Sequence, residues 1–166
     1  IIACLSLIKA LFSRKILMAL TFQKISVIGL GLIGTSILHA IKEKEDKIIT
    51  MAYDINPDHR ASVKKMKIAS FVFDEIKEAI KDADLIILSI PVGKMSDAAK
   101  LIAPYIKKNA IITDTGSTKI SVIKDINPHL PNNVHFIPSH PLAGTEYSGP
   151  KAGFASLFEN RYWLII

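Results

Sequence analysis

Lys24-Ile25-Ser26-Val27-Ile28-Gly29-Leu30-Gly31-Leu32-Ile33-Gly34-Thr35-Ser36 is the stretch whose reading decides the fold. Ile25, Val27 and Ile28 are β-branched residues suited to a buried strand, and Gly29, Gly31 and Gly34 follow at once in the order G-x-G-x-x-G. The period then changes. Leu32, Ile33, Ser36, Ile37, Ala40 and Ile41 recur at three- and four-residue steps, which gives a helix with one apolar face. A strand that stops at glycines and restarts as a helix points backbone N–H groups outward at the positive end of the helix dipole, and that is an anion site. The glycines serve different ends: Gly29 allows the tight turn, Gly31 lets a pyrophosphate approach the backbone, and Gly34 lets helix and strand pack closely. The six residues Gly29, Leu30, Gly31, Leu32, Ile33 and Gly34 are therefore the candidate cradle for a dinucleotide.

Glycines also mark ordinary turns, so the motif is weighed together with the residues downstream of it. A second apolar run, 47–53, ends in Asp54, 25 positions after Gly29 and near the spacing of the acid that binds the adenosine ribose hydroxyls. Ile55 rather than an arginine comes next, and a carboxylate repels a 2′-phosphate, so NAD is expected in preference to NADP, a preference that His59 and Arg60 moderate. The alternative for Asp54 is a helix cap before Pro57.

The 166 residues, 49% hydrophobic, suit one domain. Lys9, Arg14 and Lys15 supply three of the net +6 charges within the first twenty residues, which hold no acid, leaving +3 for the remainder. The other lysines are scattered with no aromatic residues among them, so no nucleic-acid partner is expected. Cys4 is the only cysteine, which gives no disulfide framework, no metal site, and an expected reducing, cytoplasmic location. Residues 1–20 are mostly apolar, yet Lys9, Arg14 and Lys15 interrupt the ~20-residue run that a membrane span requires. Three readings compete for this leader: organellar targeting, a membrane-surface helix, or sequence translated from upstream of the true start. The third is favoured, because Met18 lies just before the first strand, and a chain starting there should fold and bind NAD unchanged.

Further along, the pattern gives a helix over 57–67, a short strand over 70–73, a helix capped by Asp74 and running to about 81, and an almost continuous apolar strand over 84–92. Ser89, Ile90 and Pro91 stand at its carboxyl end, where open α/β sheets bind ligands, and are expected near the cofactor. A helix over 94–106, a strand over 110–113, a loop holding Gly116 and Ser117, and a helix over 118–126 come next; Ser117 could simply cap that last helix. A sixth strand, 134–137, leads to His140, and the chain closes with a helix around 154–158 and a strand over 162–166. This alternation calls for a doubly wound, Rossmann-type α/β fold, a mostly parallel sheet with helices on both faces. Of the histidines His39, His59, His129, His135 and His140, only His140 lies past the carboxyl end of a strand, beside Pro141 and Gly144, where an acid/base group belongs. Its alternative is a loop anchor.

Together these segments resemble the prephenate/arogenate dehydrogenase family of tyrosine biosynthesis. The matching pieces are 29–34, Tyr53-Asp54-Ile55-Asn56, Asp114-Thr115-Gly116-Ser117-Thr118-Lys119, Ser139-His140-Pro141-Leu142-Ala143-Gly144-Thr145-Glu146 and Leu157-Phe158-Glu159-Asn160-Arg161, spread over 24–166. The resemblance implies that His140 accepts the proton of the ring hydroxyl while hydride passes to the nicotinamide. It also implies that Ser117 orients His140 and the hydroxyl, that Gly116 lies with the cofactor, and that Thr145 and Glu146 line the pocket. Prephenate or arogenate is the implied substrate. Two carboxylates call for cationic partners, yet Arg14, Arg60 and Arg161 are the only arginines and none is placed as a clamp. Family members carry a further helical carboxyl-terminal domain that supplies such cations and the homodimer interface. The expectation is a nucleotide-binding half over 21–166 that binds NAD and turns over prephenate poorly by itself. A non-catalytic NAD-binding module and another dehydrogenase of β-hydroxyacid type are the alternatives.

Overall fold

The computed structural model describes residues 22–45 and 47–166; the expectations for 1–20 lie outside the described residues. Strand β1 (Lys24–Ile28) runs through the glycine corner into helix α1 (Leu32–Lys44), followed by β2 (Ile49–Tyr53), α2 (Pro57–Met66), β3 (Phe71–Val72) and α3 (Ile76–Ile80). The second half holds β4 (Leu85–Leu88), α4 (Met95–Ile102), β5 (Ile111–Asp114), α5 (Lys119–Ile126) and β6 (His135–Ile137). All six strands are parallel, in the order β3-β2-β1-β4-β5-β6. The order reverses between β1 and β4, which puts the switch point beside the glycine corner, where such sheets bind ligands.

Register decides what meets at that edge. Ile28 lies beside Tyr53 and Leu88, and Leu88 beside Asp114. The residues that leave the sheet there are Gly29, Asp54, Ser89 and Thr115, so four candidate segments share one rim. Two apolar layers keep the sheet rigid beneath them. Ile25 and Val27 pack with Ile37 and Leu38 of α1 and Val63 of α2, while Ile28 and Ile86 pack with Met95, Ala99 and Val122 from α4 and α5. A central strand buried on both faces reads as a nearly continuous apolar run, and all four residues of β4 are buried.

Four local expectations need correction. Asp74 does not cap α3, whose N-cap is Glu75 without a side-chain bond; the Asp74 carboxylate accepts instead from Arg60 Nε at 3.0 Å. The strand expected over 84–92 stops at Leu88, and Pro91, which has no N–H to offer a sheet, leads into a 3₁₀ turn over Val92–Lys94. The stretch around 154–158 is a 3₁₀ segment, Ala155–Phe158, rather than an α-helix. The closing strand, β8 (Trp163–Ile165), pairs antiparallel with an unforeseen strand β7 (Ser139–Pro141) in a separate two-stranded sheet, with His140 opposite Leu164.

At the opposite edge Asp84 ties β1 to β4, accepting from the N–H groups of Gln23 (2.8 Å) and Lys24 (3.0 Å) and from Lys107 Nζ. Partial burial pushes its pKa up, but the Lys107 ammonium and the two backbone donors outweigh this and hold the carboxyl below the usual carboxylate range. A folded pKa below the unfolded value of ~4 means stability that is present above ~pH 4 and lost as pH falls through the folded pKa. Asp84→Asn is therefore expected to lower the Tm at neutral pH, with the gap to the parent closing in strong acid. Melting curves across that range check it. Among the described residues no helix is long and apolar enough to cross a membrane.

Candidate active site

The three glycines divide their work as their surroundings dictate. Gly29 has φ +95°, and a Cβ there would stand 2.2 Å from the Ser89 carbonyl oxygen; one on Gly34 would stand 1.9 Å from the Gly29 carbonyl oxygen. Those two positions are closed by backbone. A Cβ on Gly31 meets nothing within 4 Å, so the space above the corner is open. Gly31 is also the N-cap of α1, with no side-chain cap and no acidic residue in the first turn. The nearby hydroxyls turn away from the amides: Thr35 Oγ1 donates to the Gly31 carbonyl and Ser36 Oγ to the Leu32 carbonyl, each at 2.7 Å. Leu32 and Ile33 are half-buried, and among the described residues no side chain accepts from the first amides of α1. An open space over an uncapped helix start fits a diphosphate.

Asp54 is bonded into the glycine corner itself. Its Oδ2 accepts from the Leu30 N–H at 2.6 Å and its Oδ1 from the Asn56 N–H at 2.8 Å, so the carboxylate pins the buried Leu30 in the corner. The helix cap is Asn56, whose Oδ1 accepts from the Asp58 N–H at 2.9 Å. His59 stands with Nδ1 3.2 Å from Asp54 Oδ2. Its place five residues on, just past the helix start, is the signal that could have found it. Arg60 is committed elsewhere: Nη1 donates to the Asp54 carbonyl at 2.8 Å, Nε pairs with Asp74, and the guanidinium lies 5.8 Å from the Tyr53 ring centroid.

From the corner a run of contacts leads to His140. Ser89 takes its register from the Ile28 carbonyl (2.7 Å), and its carbonyl abuts Gly29. Ile90 also packs against Gly29, while Pro91 is exposed at the rim. Thr115 donates its N–H to the Leu88 carbonyl at 3.1 Å and its hydroxyl to Ser89 Oγ at 3.4 Å. The Thr115 carbonyl then lies 3.1 Å from His140 Nδ1. A carbonyl can only accept, so Nδ1 carries the hydrogen and the neutral ring presents a bare Nε2. Glycine corner and imidazole thus share one side of the sheet.

The remaining candidates are placed less centrally. Gly116 is buried and gives its N–H to Asp114 Oδ2 at 2.8 Å. Ser117 is exposed and does not cap α5, whose N-cap is Thr118; among the described residues no hydrogen bond joins Ser117 to His140. Thr145 and Glu146 are exposed in the loop after β7.

The feature that sequence reasoning missed lies beneath the imidazole. Asp114, fully buried, accepts from Gly116 N–H, from Ser139 N–H (3.2 Å) and from Lys119 Nζ, which also donates to the Ser139 carbonyl. Ser139 Oγ donates to the Asp114 carbonyl at 2.7 Å and accepts from Trp163 Nε1 at 2.9 Å. A charged pair in a Gly/Ser/Thr-rich loop reads as solvated, but here Ser139 of β7 bonds both of its members.

A family model described as the nucleotide-binding domain of prephenate dehydrogenase matches residues 37–166. Similar proteins include the cyclohexadienyl dehydrogenase of Zymomonas mobilis, 45% identical over 139 residues that make up 84% of this chain and 47% of that protein. The prephenate dehydrogenase of Lactococcus lactis is 36% identical over 145 residues, 86% of this chain and 40% of that protein. Among solved structures, prephenate dehydrogenase from A. aeolicus in complex with hydroxyphenyl propionate and NAD+ superposes with a TM-score of 0.80 at 26% identity, covering 89% of this chain and 51% of that one. The chain spans about half the length, or less, of the relatives it matches.

Proposed function

The chain belongs to the prephenate dehydrogenase family, in its nucleotide-binding domain, and on that premise we propose that it binds NAD and contributes the base for oxidative decarboxylation of prephenate or arogenate. The observation that supports this reading is the contact path Gly29–Ser89–Thr115–His140, which joins the His140 imidazole to the rim that holds the open glycine corner.

In this reading the diphosphate lies over Gly31 on the amides of Leu32, Ile33 and Gly34 at the start of α1, Gly29 and Leu30 shape the corner beneath it, Asp54 takes the ribose hydroxyls, and Ser89, Ile90, Pro91 and Gly116 form the wall toward the reacting end. Bound NAD supplies a hydride acceptor. His140 Nε2 takes the proton of the ring hydroxyl, and Ser117 orients that hydroxyl at the mouth of the site. Once the ring carbon reaches the ketone level, loss of the ring carboxylate as carbon dioxide leaves an aromatic phenol, so positioning and one proton acceptor suffice. Thr145 and Glu146 are assigned to the outer wall. The substrate carboxylates require cations beyond Arg60 and Arg161, and a further helical domain is the proposed source, along with the homodimer interface. The proposed compartment is the cytoplasm.

NAD rather than NADP is the proposed cofactor, because the Asp54 carboxylate would face a 2′-phosphate and Arg60 is already bonded to Asp74 and the Asp54 carbonyl. The test is thermal unfolding with each nucleotide. NAD at one hundred times its Kd adds about 2.7 kcal/mol, or about 5–10 °C in Tm for a chain of this size. NADP at the same concentration should add far less, and Asp54→Asn should shrink the difference. Equal protection by both, or by neither, contradicts the assignment.

A further inference from the structure

We infer that Asp114 and Lys119 are positioning residues for His140, a role that rests on reading His140 as the base. An ion pair placed where Asp114 is fully buried gives up hydration on both charges, and it is retained without penalty only where further hydrogen bonds satisfy it. Here each of those bonds goes to one of two segments. Gly116 belongs to the loop between β5 and α5, and Ser139 belongs to β7. The same two segments carry the two ends of the imidazole contact. Thr115 lies between Asp114 and Gly116, and His140 follows Ser139, so the pair fixes the neighbours on both sides of the bond between the Thr115 carbonyl and Nδ1.

The consequence concerns geometry rather than charge. While the loop and β7 are clamped together, Nδ1 keeps its acceptor, the ring keeps one tautomer, and Nε2 is left as the nitrogen without a hydrogen. Release of the clamp leaves β7 held by β8, by the Trp163 indole and by the Ser139 hydroxyl, which bonds the Asp114 carbonyl and Thr113 Oγ1, and none of these holds Gly116 or the Thr115 carbonyl in place. The ring then loses its acceptor and turns. Displacements of about 1 Å at a reacting group cost on the order of 10²-fold in rate, so a pair that never meets the substrate still governs the chemistry.

Nitrogen NMR of the chain labelled with ¹⁵N-histidine tests this without any turnover. In the unaltered chain His140, assigned by its absence from His140→Asn, should show a protonated Nδ1 and a bare Nε2; a mixture of tautomers overturns the inference before any variant is made. The neutral, similarly shaped double variant Asp114→Asn/Lys119→Met should lose the single tautomer while still melting cooperatively, whereas Lys119→Arg should retain it. An unchanged tautomer in the folded double variant overturns the proposal. If that variant does not fold, Asp114→Asn alone, which keeps an acceptor for the Gly116 N–H, carries the same expectation and the same contrary result. Protection by NAD, measured on the same samples, reports separately on the functional reading: its absence would strike that reading, while the tautomer result still decides the clamp.

Discussion

Replacing His140 with asparagine is expected to lower oxidation of the ring alcohol by about 10²–10⁴, the usual worth of a positioned general base, while NAD protection stays as in the parent. That range corresponds to about 2.7–5.5 kcal/mol of transition-state stabilisation. Asparagine is the informative substitute. Its amide can still donate to the Thr115 carbonyl, so β7 and the loop remain joined, but nothing replaces Nε2 as a proton acceptor. The rate is to be measured with the chain joined to a substrate-binding domain from a relative, because the cations for the substrate carboxylates are assigned there. Retention of more than a tenth of the parent rate would remove His140 from the chemistry.

The second large effect separates two glycines that lie three positions apart. A methyl on Gly34 would stand 1.9 Å from the Gly29 carbonyl oxygen and 3.3 Å from Ser89 Cβ, so the first turn of α1 has to move away from β1. Overpacking costs about 1–3 kcal/mol, occasionally more, and a clash with backbone belongs at the upper end. Gly34→Ala should therefore lose about 6–12 °C in Tm. Gly31→Ala meets nothing within 4 Å and should melt close to the parent. Its methyl instead enters the space assigned to the diphosphate, and NAD affinity should fall at least tenfold. Calorimetry and nucleotide titration on the two variants check both halves. If Gly31→Ala binds NAD as tightly as the parent, the corner is a structural turn and not a cradle.

The parts of the molecule that could be read from the sequence are those governed by short-range rules. Runs of β-branched residues ending in glycine or a polar residue gave six strands, and steric exclusion gave Gly29 and Gly34 their roles before any coordinates. The features that escaped notice depend on contacts distant in sequence. Pro138 precedes β7 and Pro141 ends it, which makes it read as a loop, although proline is compatible with a short edge strand; the partner of its central residue lies 24 residues later. Asp114 and Lys119 sit in a stretch of small polar residues that looks solvated, and their burial becomes evident only when β7 folds over them. Asp74 looked like a cap because it precedes a helix, but the guanidinium of Arg60 competes for its carboxylate. Spacing singles out Asp54 as a candidate but does not show its grip on the Leu30 N–H, since that bond needs the close juxtaposition of the ends of β1 and β2.

The central claim is that one rim of the sheet holds the dinucleotide at the glycine corner and brings its nicotinamide to His140. A crystal structure of this chain grown with NAD measures that directly. The expected result is the diphosphate over Gly31 at the start of α1, the adenosine ribose on Asp54, and the nicotinamide ring beside His140 Nε2. Nicotinamide on the opposite face of the sheet, or diphosphate bound away from Gly31, would contradict it.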